Sequence, residues 1–510
     1  MIDIASVIDK KERVNIEVKS AQGGIPKSVW ETYSSFANTS GGVIILGIAE
    51  DAETKELVPQ GVNNAHQLIS DIWSTLNNNT KVNINILLDR HVYSLEYNGS
   101  EYVVIEVPRA DRREKPVYVG QDMFKGSYKR DYEGDYHCSA EEVKAMLRDQ
   151  ADVPQDALLL NDISIDDLNQ ESIHRYRILF NNLKPNHIWT KLNDEEFLLK
   201  IGAAKKSQAD KQIHPTLAGL LFFGDFITIT DELPNYFLDY REHLANDTRW
   251  SDRVCSGDGN WSGNIFDFYY KVIDRLTSDV KKPFKLDSKM LRVDDTAIHK
   301  SLRECLANAL IHADYYGRRG IVIDKEFRKI TISNPGTFRI SIDEAIAGGI
   351  SDTRNSKIFN MFSLINVGER SGTGICDMYN VWNECGFKQP QIIETVNPDR
   401  VTLVLEINDE IIYDSGVVNS VVNGVVNDVV NDVEKQDVSN TGENIPERPL
   451  DSMSCTILKM INENSKLSAS TIASELKLSS RTIQRILKNL KDDGYIKREG
   501  STRGKWIILK

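Results

Sequence analysis

The chain has 510 residues, of which 40% are hydrophobic and 27% charged, the balance of a globular protein with room for three or four domains. A net charge of −13 excludes a chain that coats nucleic acid over its whole surface, so any such binding must be local to a basic patch. No apolar run approaches the ~18 residues of a membrane span, and we expect no signal peptide. Six scattered cysteines without CxxC spacing predict reduced thiols in the cytoplasm.

The segment 12–51 predicts a strand, a helix and a second strand, with acidic residues near one edge. Alternation over 14–19 is typical of a half-buried strand and puts Glu17 and Lys19 on one polar face. Apolar residues at helical spacing predict a helix over 27–38. The glycine-bounded apolar run 43–48 predicts one buried strand.

Residues 1–150 resemble the Schlafen/AlbA-type nucleic-acid-binding domain. The resemblance rests on Glu12, on Glu17 and Lys19, and on three segments that follow in the family's order: FANTSGG at 36–42, KPVY at 115–118 and GSYKR at 126–130. It implies binding of DNA or RNA and, in Schlafen members, RNA cleavage that depends on Mg²⁺ or Mn²⁺.

Three carboxylates would carry that cleavage. Glu12 and Glu17 match the first two, and Glu50 or Asp51 would be the third. Lys19 would stabilise the charge that develops on the scissile phosphate. The alternative is that Glu17 and Lys19 form a structural ion pair on a strand face.

A basic segment between 109 and 130 mixes Lys and Arg with aromatic residues, which suits phosphate contacts and base stacking. Lys129 and Arg130 are the predicted nucleic-acid contacts. The alternative is a solvated strand face with core tyrosines. Ser139 and Glu142 form a capping box, which predicts a closing helix to about residue 148.

Residues 155–295 predict a mixed α/β connector without chemistry of its own. The segment 214–224 is apolar and bounded by glycine, as expected of a core element. The histidines at 174, 187 and 214 have no metal-ligand spacing, so we expect them to be structural.

A helix predicted over 298–315 places Glu304, Asn308 and His312 on one polar face, since they recur every four residues. A carboxylate can activate a water, and an amide oxygen can bind Mg²⁺, so this face suits a magnesium–nucleotide site. The alternative is the solvated side of an ordinary helix.

The segment after this helix strengthens the nucleotide interpretation for residues 296–410. Strands at 321–323 and 329–332, the turn 333–336 and a Gly-Thr-Gly that opens a further helix follow in order. This order resembles the GHKL ATP-binding fold, an α/β sandwich, and more closely its RecG-like C-terminal variant in prokaryotic ATP-binding transcriptional regulators.

The GHKL resemblance implies ATP, with the backbone N–H groups of Gly372, Thr373 and Gly374 on its phosphates. Where the fold usually has an Asp that binds the adenine amino group, this chain has Asn334, followed by Pro335 and Gly336; an Asn can accept that bond but is neutral. Arg354 and Asn355 are predicted either as phosphate or lid contacts or, for Arg354, as an interdomain salt bridge.

Residues 411–450 hold four copies of Val-Val-Asn-x at 416–433, then a polar tether. The repeat predicts either a self-associating segment, which we favour, or an unstructured linker. We therefore expect the chain to form a homo-oligomer.

Residues 451–510 predict three helices and a two-strand wing, and they resemble a winged helix–turn–helix domain. Twelve basic and six acidic side chains give the segment a net charge of +6 in a chain of −13. That contrast favours docking on duplex DNA rather than protein contacts alone. The predicted DNA contacts are Ser480, Arg481, Thr482, Gln484, Arg485 and Lys488 on the third helix and Arg498 in the wing.

Together these segments predict a multidomain α/β (α+β) protein. The leading hypothesis is a cytoplasmic, ATP-binding transcriptional regulator that binds DNA. The alternative is a Schlafen-type, metal-dependent endoribonuclease acting in phage defence. An ATPase motor or a histidine kinase is disfavoured, because the sequence has no GxxxxGK[ST] motif and no phosphoacceptor region.

Overall fold

The structure, a computed structural model, describes most of the chain up to residue 407 and selected residues beyond it. The chain forms two compact units, residues 1–424 and 425–510. Among the described residues, no helix has the length and apolar character needed to cross a membrane. The described residues are 4–9, 14–51, 53–54, 56–243, 250–278, 280, 296–368, 372–407, 460–461, 468, 471–472, 483, 487, 490–491, 495–499 and 505–508.

The first domain is built on a four-stranded sheet with strand order β1-β2-β6-β5. Strands β1 and β2 are parallel, and the other neighbours are antiparallel. Its elements are α1 (Ile4–Asp9), β1 (Ile16–Lys19), α2 (Ser28–Asn38), β2 (Gly42–Leu46), β3 (Ile48–Glu50), β4 (Leu57–Pro59), α3 (Ala65–Leu76), β5 (Val92–Tyr97), β6 (Ser100–Val107), α4 (Met123–Gly126), β7 (Tyr128–Asp131), β8 (Gly134–His137) and α5 (Ala140–Gln150).

Most elements of this domain match the sequence pattern. Helix α2 buries Val29, Tyr33 and Phe36 in the core of the sheet, as its helical spacing predicts. Helix α5 starts at the predicted capping box, in which Ser139 and Glu142 bind each other's backbone N–H groups.

The prediction of one strand over 43–48 is wrong, because Gly47 separates β2 from β3. Its φ of +107° is a backbone conformation that glycine adopts readily. A Cβ at this position would lie 3.0 Å from both the backbone of Gly61 and the ring of Tyr102, so a side chain has no room. The chain therefore leaves the main sheet at Gly47 and pairs with β4 instead.

The second part of the large unit is organised by a six-stranded sheet with order β12-β11-β13-β14-β16-β15. Strands β11 and β13 are parallel, and the other neighbours are antiparallel. Its elements are α6 (Gln170–Leu183), α7 (Asp194–Ile201), β9 (Ala204–Lys206), β10 (Ile213–Pro215), α8 (Leu217–Phe223), α9 (Phe226–Glu232), β11 (Leu238–His243), β12 (Asp252–Cys255), α10 (Ile265–Thr277), α11 (Ala297–His312), β13 (Ile321–Glu326), β14 (Lys329–Pro335), α12 (Ile342–Ala347), α13 (Ser356–Leu364), α14 (Gly374–Glu384), β15 (Gln391–Thr395) and β16 (Arg400–Glu406).

One hydrophobic core joins the predicted connector to the predicted nucleotide-binding segment, since it runs from Leu160 to Ile407. Helix α8 is buried along its whole length, which agrees with the apolar pattern of 214–224. The predicted boundary at 295 falls within this shared core, because β11 and β12 precede it and belong to the same sheet as β13 to β16.

In the C-terminal unit the described residues agree with a winged helix. Helical residues occur at 460–461, 471–472, 483, 487 and 490–491. Strands β17 (Ile496–Glu499) and β18 (Lys505–Ile508) form an antiparallel pair, as predicted for the wing. Among its described residues, the buried side chains are those of Ile461, Ile472, Ile483, Leu487, Leu490 and Trp506.

Candidate functional site

A cavity of about 140 Å³ lies between α11, residues of β14, β15 and β16, and the start of α14; we call it the α11 cavity. Three predicted site residues, Glu304, Asn308 and Asn334, line it, together with Gly372 and Gly374. The structure thus brings five predicted nucleotide-site residues to one place.

Helix α11 directs Glu304, Asn308 and His312 into this cavity, and all three are half-buried. The helix ends at His312 rather than at the predicted residue 315, because side chains bind its last carbonyl groups. Asn355 Nδ2 donates to the carbonyls of Ile311 (2.9 Å) and Ala313 (2.8 Å).

Two polar side chains on this face have no partner among the described residues. Within the part of the chain that the structure describes, neither Asn308 nor His312 makes a side-chain hydrogen bond or ion pair. Burial, together with the cations Arg354 and Arg339, lowers the pKa of His312 to about 4, so its imidazole is neutral at pH 7. An amide and a neutral imidazole that face a cavity without partners can both bind a polar ligand.

The start of α14 approaches α11 closely at Gly374. A Cβ at Gly374 would lie 2.6 Å from Glu304 Oε1, so a side chain there would displace the Glu304 side chain. Gly372 has a φ of +67° and Thr373 is the N-cap of the helix. Backbone N–H groups at a helix N-terminus suit an anion. The preceding residues 369–371 lie outside the described residues.

Asn334 and Gly336 lie at the end of β14. Asn334 is buried and lines the cavity, and its Nδ2 donates to the carbonyl of Pro335 (3.3 Å). Its amide oxygen accepts no hydrogen bond from the described residues, so it can accept one from a ligand. Gly336 has a φ of +100°, and a Cβ there would lie 2.5 Å from Arg354 Nη1.

Arg354 belongs to an ion-pair network between the first domain and the wall of the α11 cavity. Its guanidinium binds both oxygens of Asp149 at the end of α5, at 2.9 and 2.7 Å. Arg339 binds the same carboxylate (2.8 Å), and Arg112 pairs with Asp352. Of the two predicted roles for Arg354, these contacts favour the interdomain salt bridge.

Sequence reasoning missed Asp149 and Arg339. Burial alone would raise the pKa of Asp149, but the guanidinium groups of Arg354 and Arg339 outweigh burial and hold it well below its ordinary value. Asp149 lies 205 residues before Arg354 in the chain, so no local pattern signals their contact.

Glu17 and Lys19 form an ion pair (2.6 Å) on β1, as the structural alternative predicts. The second oxygen of Glu17 binds Arg130 (3.0 Å). Arg130 is 5% exposed and also binds Asp135 (2.9 Å), and its guanidinium lies 5.1 Å from the centre of the Phe36 ring. Glu17 and Arg130 are thus engaged within the domain.

Of the other predicted metal ligands of the first domain, Glu50 and Asp51 belong to the described residues, and these two form no metal centre there with Glu17. Asp51 is exposed, and its Oδ1 accepts hydrogen bonds from the backbone of Glu53 (3.0 Å) and Thr54 (2.8 Å), which lower its pKa. Glu50 ends β3, and Glu12 lies outside the described residues. Among the residues that the structure describes, no group of three or more His, Cys, Asp and Glu could hold a metal ion. With both Glu17 oxygens paired to cations, these residues do not fit a divalent metal.

The predicted nucleic-acid contacts are only partly described. Lys129 is largely buried and pairs with Glu142, so neither Lys129 nor Arg130 presents a free charge to solvent. The six predicted contacts on the third C-terminal helix, at 480–482, 484–485 and 488, lie outside the described residues. Arg498 belongs to β17, and no position of its side chain is described.

Four family models match separate segments of the chain. The model "Schlafen, AlbA_2" matches residues 5–139, and "Putative ATP-dependent DNA helicase recG C-terminal" matches 323–405. The model "Winged helix-turn-helix DNA-binding" matches 450–497. A domain of unknown function, DUF8451, matches 144–239, much of the predicted connector.

Similarity to whole proteins is remote. No curated protein matches the chain. The solved structure of the DIP2311 protein from Corynebacterium diphtheriae is similar at 16% identity and a TM-score of 0.39, over 99% of this chain and 96% of that chain. The N-terminal domain of a RecG-related protein from Nitrosomonas europaea has 25% identity and a TM-score of 0.22, over 27% of this chain and 94% of that chain.

The described folds and the matched segments define a multidomain α/β protein of the nucleic-acid-binding class. It combines a Schlafen/AlbA_2 domain at its N-terminal end, a RecG-C-terminal, ATPase-like region and a C-terminal winged helix–turn–helix DNA-binding domain. The three resemblances stated from the sequence are thereby confirmed.

Proposed function

We propose that the protein is a nucleotide-responsive transcriptional regulator that binds DNA through its C-terminal winged helix. The nucleotide-binding part of this proposal rests on the amide of Asn308, which has no partner among the described residues. It faces the α11 cavity beside Glu304 and the glycines at the start of α14. The DNA half is supported by the winged-helix match and by the net charge of +6 on residues 451–510.

In this proposal the predicted nucleotide-site residues each have a role in binding or hydrolysing ATP. The amide oxygen of Asn308 would hold a Mg²⁺ ion that the phosphates also bind, since Mg²⁺ takes few protein ligands beside phosphate oxygens. The N–H groups at 372–374 would bind phosphate oxygens, and the free oxygen of Asn334 would accept from the adenine amino group. If ATP is hydrolysed, Glu304 is placed to orient and deprotonate the attacking water.

The α11 cavity must widen to accept a whole nucleotide. Its volume of about 140 Å³ is below the ~300–1,000 Å³ of pockets that enclose drug-sized ligands. Residues 350–352, Gly372 and Gly374 line it, and Gly372 and the two glycines just before residue 350, Gly348 and Gly349, have positive φ. We expect these glycines to permit the opening, which would make the nucleotide response a conformational one.

Self-association through the repeat at 416–433 belongs to the same proposal. Pairing two chains there would present two winged helices to two DNA half-sites. The cleavage alternative, an endoribonuclease of the Schlafen type acting in phage defence, needs Glu17 as a metal ligand. Because both Glu17 oxygens bind cations of the protein, we propose that the first domain binds nucleic acid without cutting it.

A thermal-shift experiment on the full chain tests the nucleotide proposal. ATP with Mg²⁺ at 100 times its Kd should stabilise the folded protein by about 2.7 kcal/mol, because it binds the folded state alone. Asn308→Ala should abolish that shift. Asn380→Ala, which changes an exposed Asn on α14 outside the cavity, should retain it. An unchanged melting temperature in the parent chain would remove ATP from the proposed function.

A further inference from the structure

A second, larger cavity lies between the first domain and the segment 314–399; we call it the interdomain cavity. Its volume is about 770 Å³, which falls in the ~300–1,000 Å³ range of small-molecule sites. Both of its walls belong to the same compact unit of the chain. Clefts between domains are a frequent location of ligand sites.

The interdomain cavity is basic in a molecule whose net charge is −13. Nine basic and six acidic side chains line it, a net charge of +3. The basic residues are Arg109, Arg112, Lys115, Lys129, Lys144, Arg148, Arg318, Arg319 and Arg339. The acidic residues are Glu141, Glu142, Asp149, Asp314, Glu394 and Asp399.

Most of these cations are neutralised by ion pairs within the protein. Six of them have a carboxylate partner, as in Arg109 with Glu394 (2.5 Å) and Arg148 with Asp314 (2.9 Å). The other three, Lys115, Lys144 and Arg319, have no carboxylate within ion-pair distance among the described residues. These three cations therefore have no ion pair to offset them, and among the six lining acids Asp399 has no ion pair with a described residue.

Lys115 is the most enclosed of the three. Its Nζ donates to the carbonyl of Asn38 (2.7 Å), a neutral partner. Burial and the neighbouring Arg109 lower its pKa to about 7, although Glu394 and Asp399 act in the opposite direction. A desolvated ammonium that has no ion-pair partner among the described residues costs free energy, and an anionic ligand would offset that cost.

One hydrogen-bond donor of the Arg148 guanidinium, its Nε, has no partner among the described residues. The Nε atom of Arg148 is buried and forms no hydrogen bond in the part of the chain that the structure describes. The guanidinium lies 4.9 Å from the centre of the Tyr316 ring, and both residues line the cavity. A buried donor without a partner is expected where a ligand or an ordered water completes the site.

We propose that the interdomain cavity binds a phosphorylated ligand, with Lys115 as its central contact. Phosphate fits better than a single carboxylate, because a phosphate monoester carries about −1.5 to −2 charges at pH 7 and can match more than one unpaired cation. The ligand could be a free nucleotide or polyphosphate, or the phosphorylated end of a nucleic-acid strand. The proposal does not depend on nucleotide binding in the α11 cavity.

Calorimetric titration of the full chain with inorganic pyrophosphate, without added metal, tests this proposal. We expect saturable binding that Lys115→Met weakens at least tenfold. Lys125→Met, an exposed lysine of the same domain outside the cavity, should leave it unchanged. Asn308→Ala should also leave it unchanged. Loss of binding in Asn308→Ala with retention in Lys115→Met would overturn the proposal and place the anion in the α11 cavity.

Chemical labelling of the wild-type chain tests the same proposal without any substitution, so its result does not depend on whether Lys115→Met folds. Lys115 should react with acetic anhydride at pH 7, because its amine is half-buried and partly deprotonated. Saturating pyrophosphate should suppress that reaction at least threefold, measured by mass spectrometry, while Lys125 stays equally reactive. Equal labelling of Lys115 with and without pyrophosphate would overturn the proposal.

A parallel titration distinguishes the two sources of phosphate. A trinucleotide with a 5′-phosphate and its 5′-hydroxyl counterpart should differ at least tenfold in affinity if the cavity takes strand ends. If both trinucleotides bind at least tenfold more weakly than pyrophosphate, the ligand is a free phosphorylated molecule. Absence of binding by every one of these probes would overturn the proposal.

Discussion

At the scale of single residues, Arg130 holds the polar edge of the first sheet together. Its guanidinium binds Glu17 and Asp135 and donates to the carbonyl of Val14 (3.0 Å). It also lies over the ring of Phe36. Such a residue serves the fold, because moving it to a phosphate would leave Asp135 without its cation and Glu17 with Lys19 alone.

Replacing Arg130 by Met should therefore lower stability rather than nucleic-acid affinity. Removing one partner of a buried ion pair costs about 3–5 kcal/mol in free energy of unfolding. Denaturation of the full chain measures this loss, with Lys125→Met, an exposed lysine, as the control expected within about 0.5 kcal/mol. A stable Arg130→Met chain with weakened nucleic-acid binding would instead make Arg130 a ligand contact.

Asp156 is a buried carboxyl whose charge should make the stability of the protein depend on pH. It is fully buried, and its Oδ2 accepts from the backbone N–H groups of Lys357 (2.6 Å) and Ile358 (3.0 Å) at the start of α13. Its Oδ1 has no partner among the described residues. Burial raises the pKa of Asp156 to about 6 against these hydrogen bonds.

Asp156→Asn should thus become relatively more stable as the pH rises. Because the pKa is higher in the folded state, the contribution of Asp156 to the free energy of unfolding is complete below about pH 4. It is lost as the pH rises from about 4 through 6. A shift of about two units corresponds to about 3 kcal/mol, which Asn does not lose because it cannot ionise. Melting curves between pH 4 and 8 should show a growing difference in favour of Asn; a constant difference would contradict this.

At the scale of elements, the end of α5 is fixed to the wall of the α11 cavity by one carboxylate. Asp149 neutralises two guanidinium groups, those of Arg339 and Arg354, which are each 7% exposed. Arg354 also donates to the carbonyl of His312, the last residue of α11. Helix α5 and helix α11 therefore share a polar junction.

Asp149→Asn should destabilise this junction by about 3–5 kcal/mol, since it leaves the buried Arg354 without its ion-pair partner and Arg339 with only Asp352, at 3.5 Å. The pKa of Asp149 is depressed, so its contribution is complete at neutral pH and is lost only as the pH falls below the ordinary range of about 4. The matched control is Asp152→Asn, an exposed residue nearby. Melting temperatures at pH 7 that do not distinguish the two variants would show that the junction adds no stability.

The elements also show which features a sequence can predict. Helix α2 and the capping box at Ser139 depend on neighbours within a few residues, and both were predictable. The shared face of Glu304 and Asn308 follows from helical spacing alone. Partners such as Glu17 and Arg130 are 113 residues apart, and only the folded sheet brings them together. The break at Gly47 was missed because an apolar run does not reveal a positive φ.

At the scale of the whole molecule, the proposed division of labour places duplex DNA on the C-terminal unit. Binding of the full chain to duplex DNA should weaken steeply with salt, because cations of the protein that bind phosphates release counter-ions. Both Arg481 and Arg485 are replaced by Ala in the test variant. Each arginine that contacts a base edge should contribute about 1–3 kcal/mol of affinity. Each arginine that contacts a phosphate should instead contribute about 1 to the slope of log affinity against log salt concentration. Fluorescence anisotropy measures both.

Lys125→Ala is the control for that measurement, because it removes an exposed cation from the other unit. Its affinity should equal that of the parent chain. Equal affinities for all of these variants, or binding that is insensitive to salt, would contradict a DNA-binding role for the third C-terminal helix.

Thr337, Phe338 and Arg339 border the α11 cavity on one side and the interdomain cavity on the other. Two molecules bound in the two cavities would both contact this shared wall, which includes the Arg339 side chain. Thermodynamic cycles then require reciprocity: whatever factor the first occupant imposes on the affinity of the second, the second imposes on the first. The molecule could in this way integrate two chemical signals before either reaches its DNA.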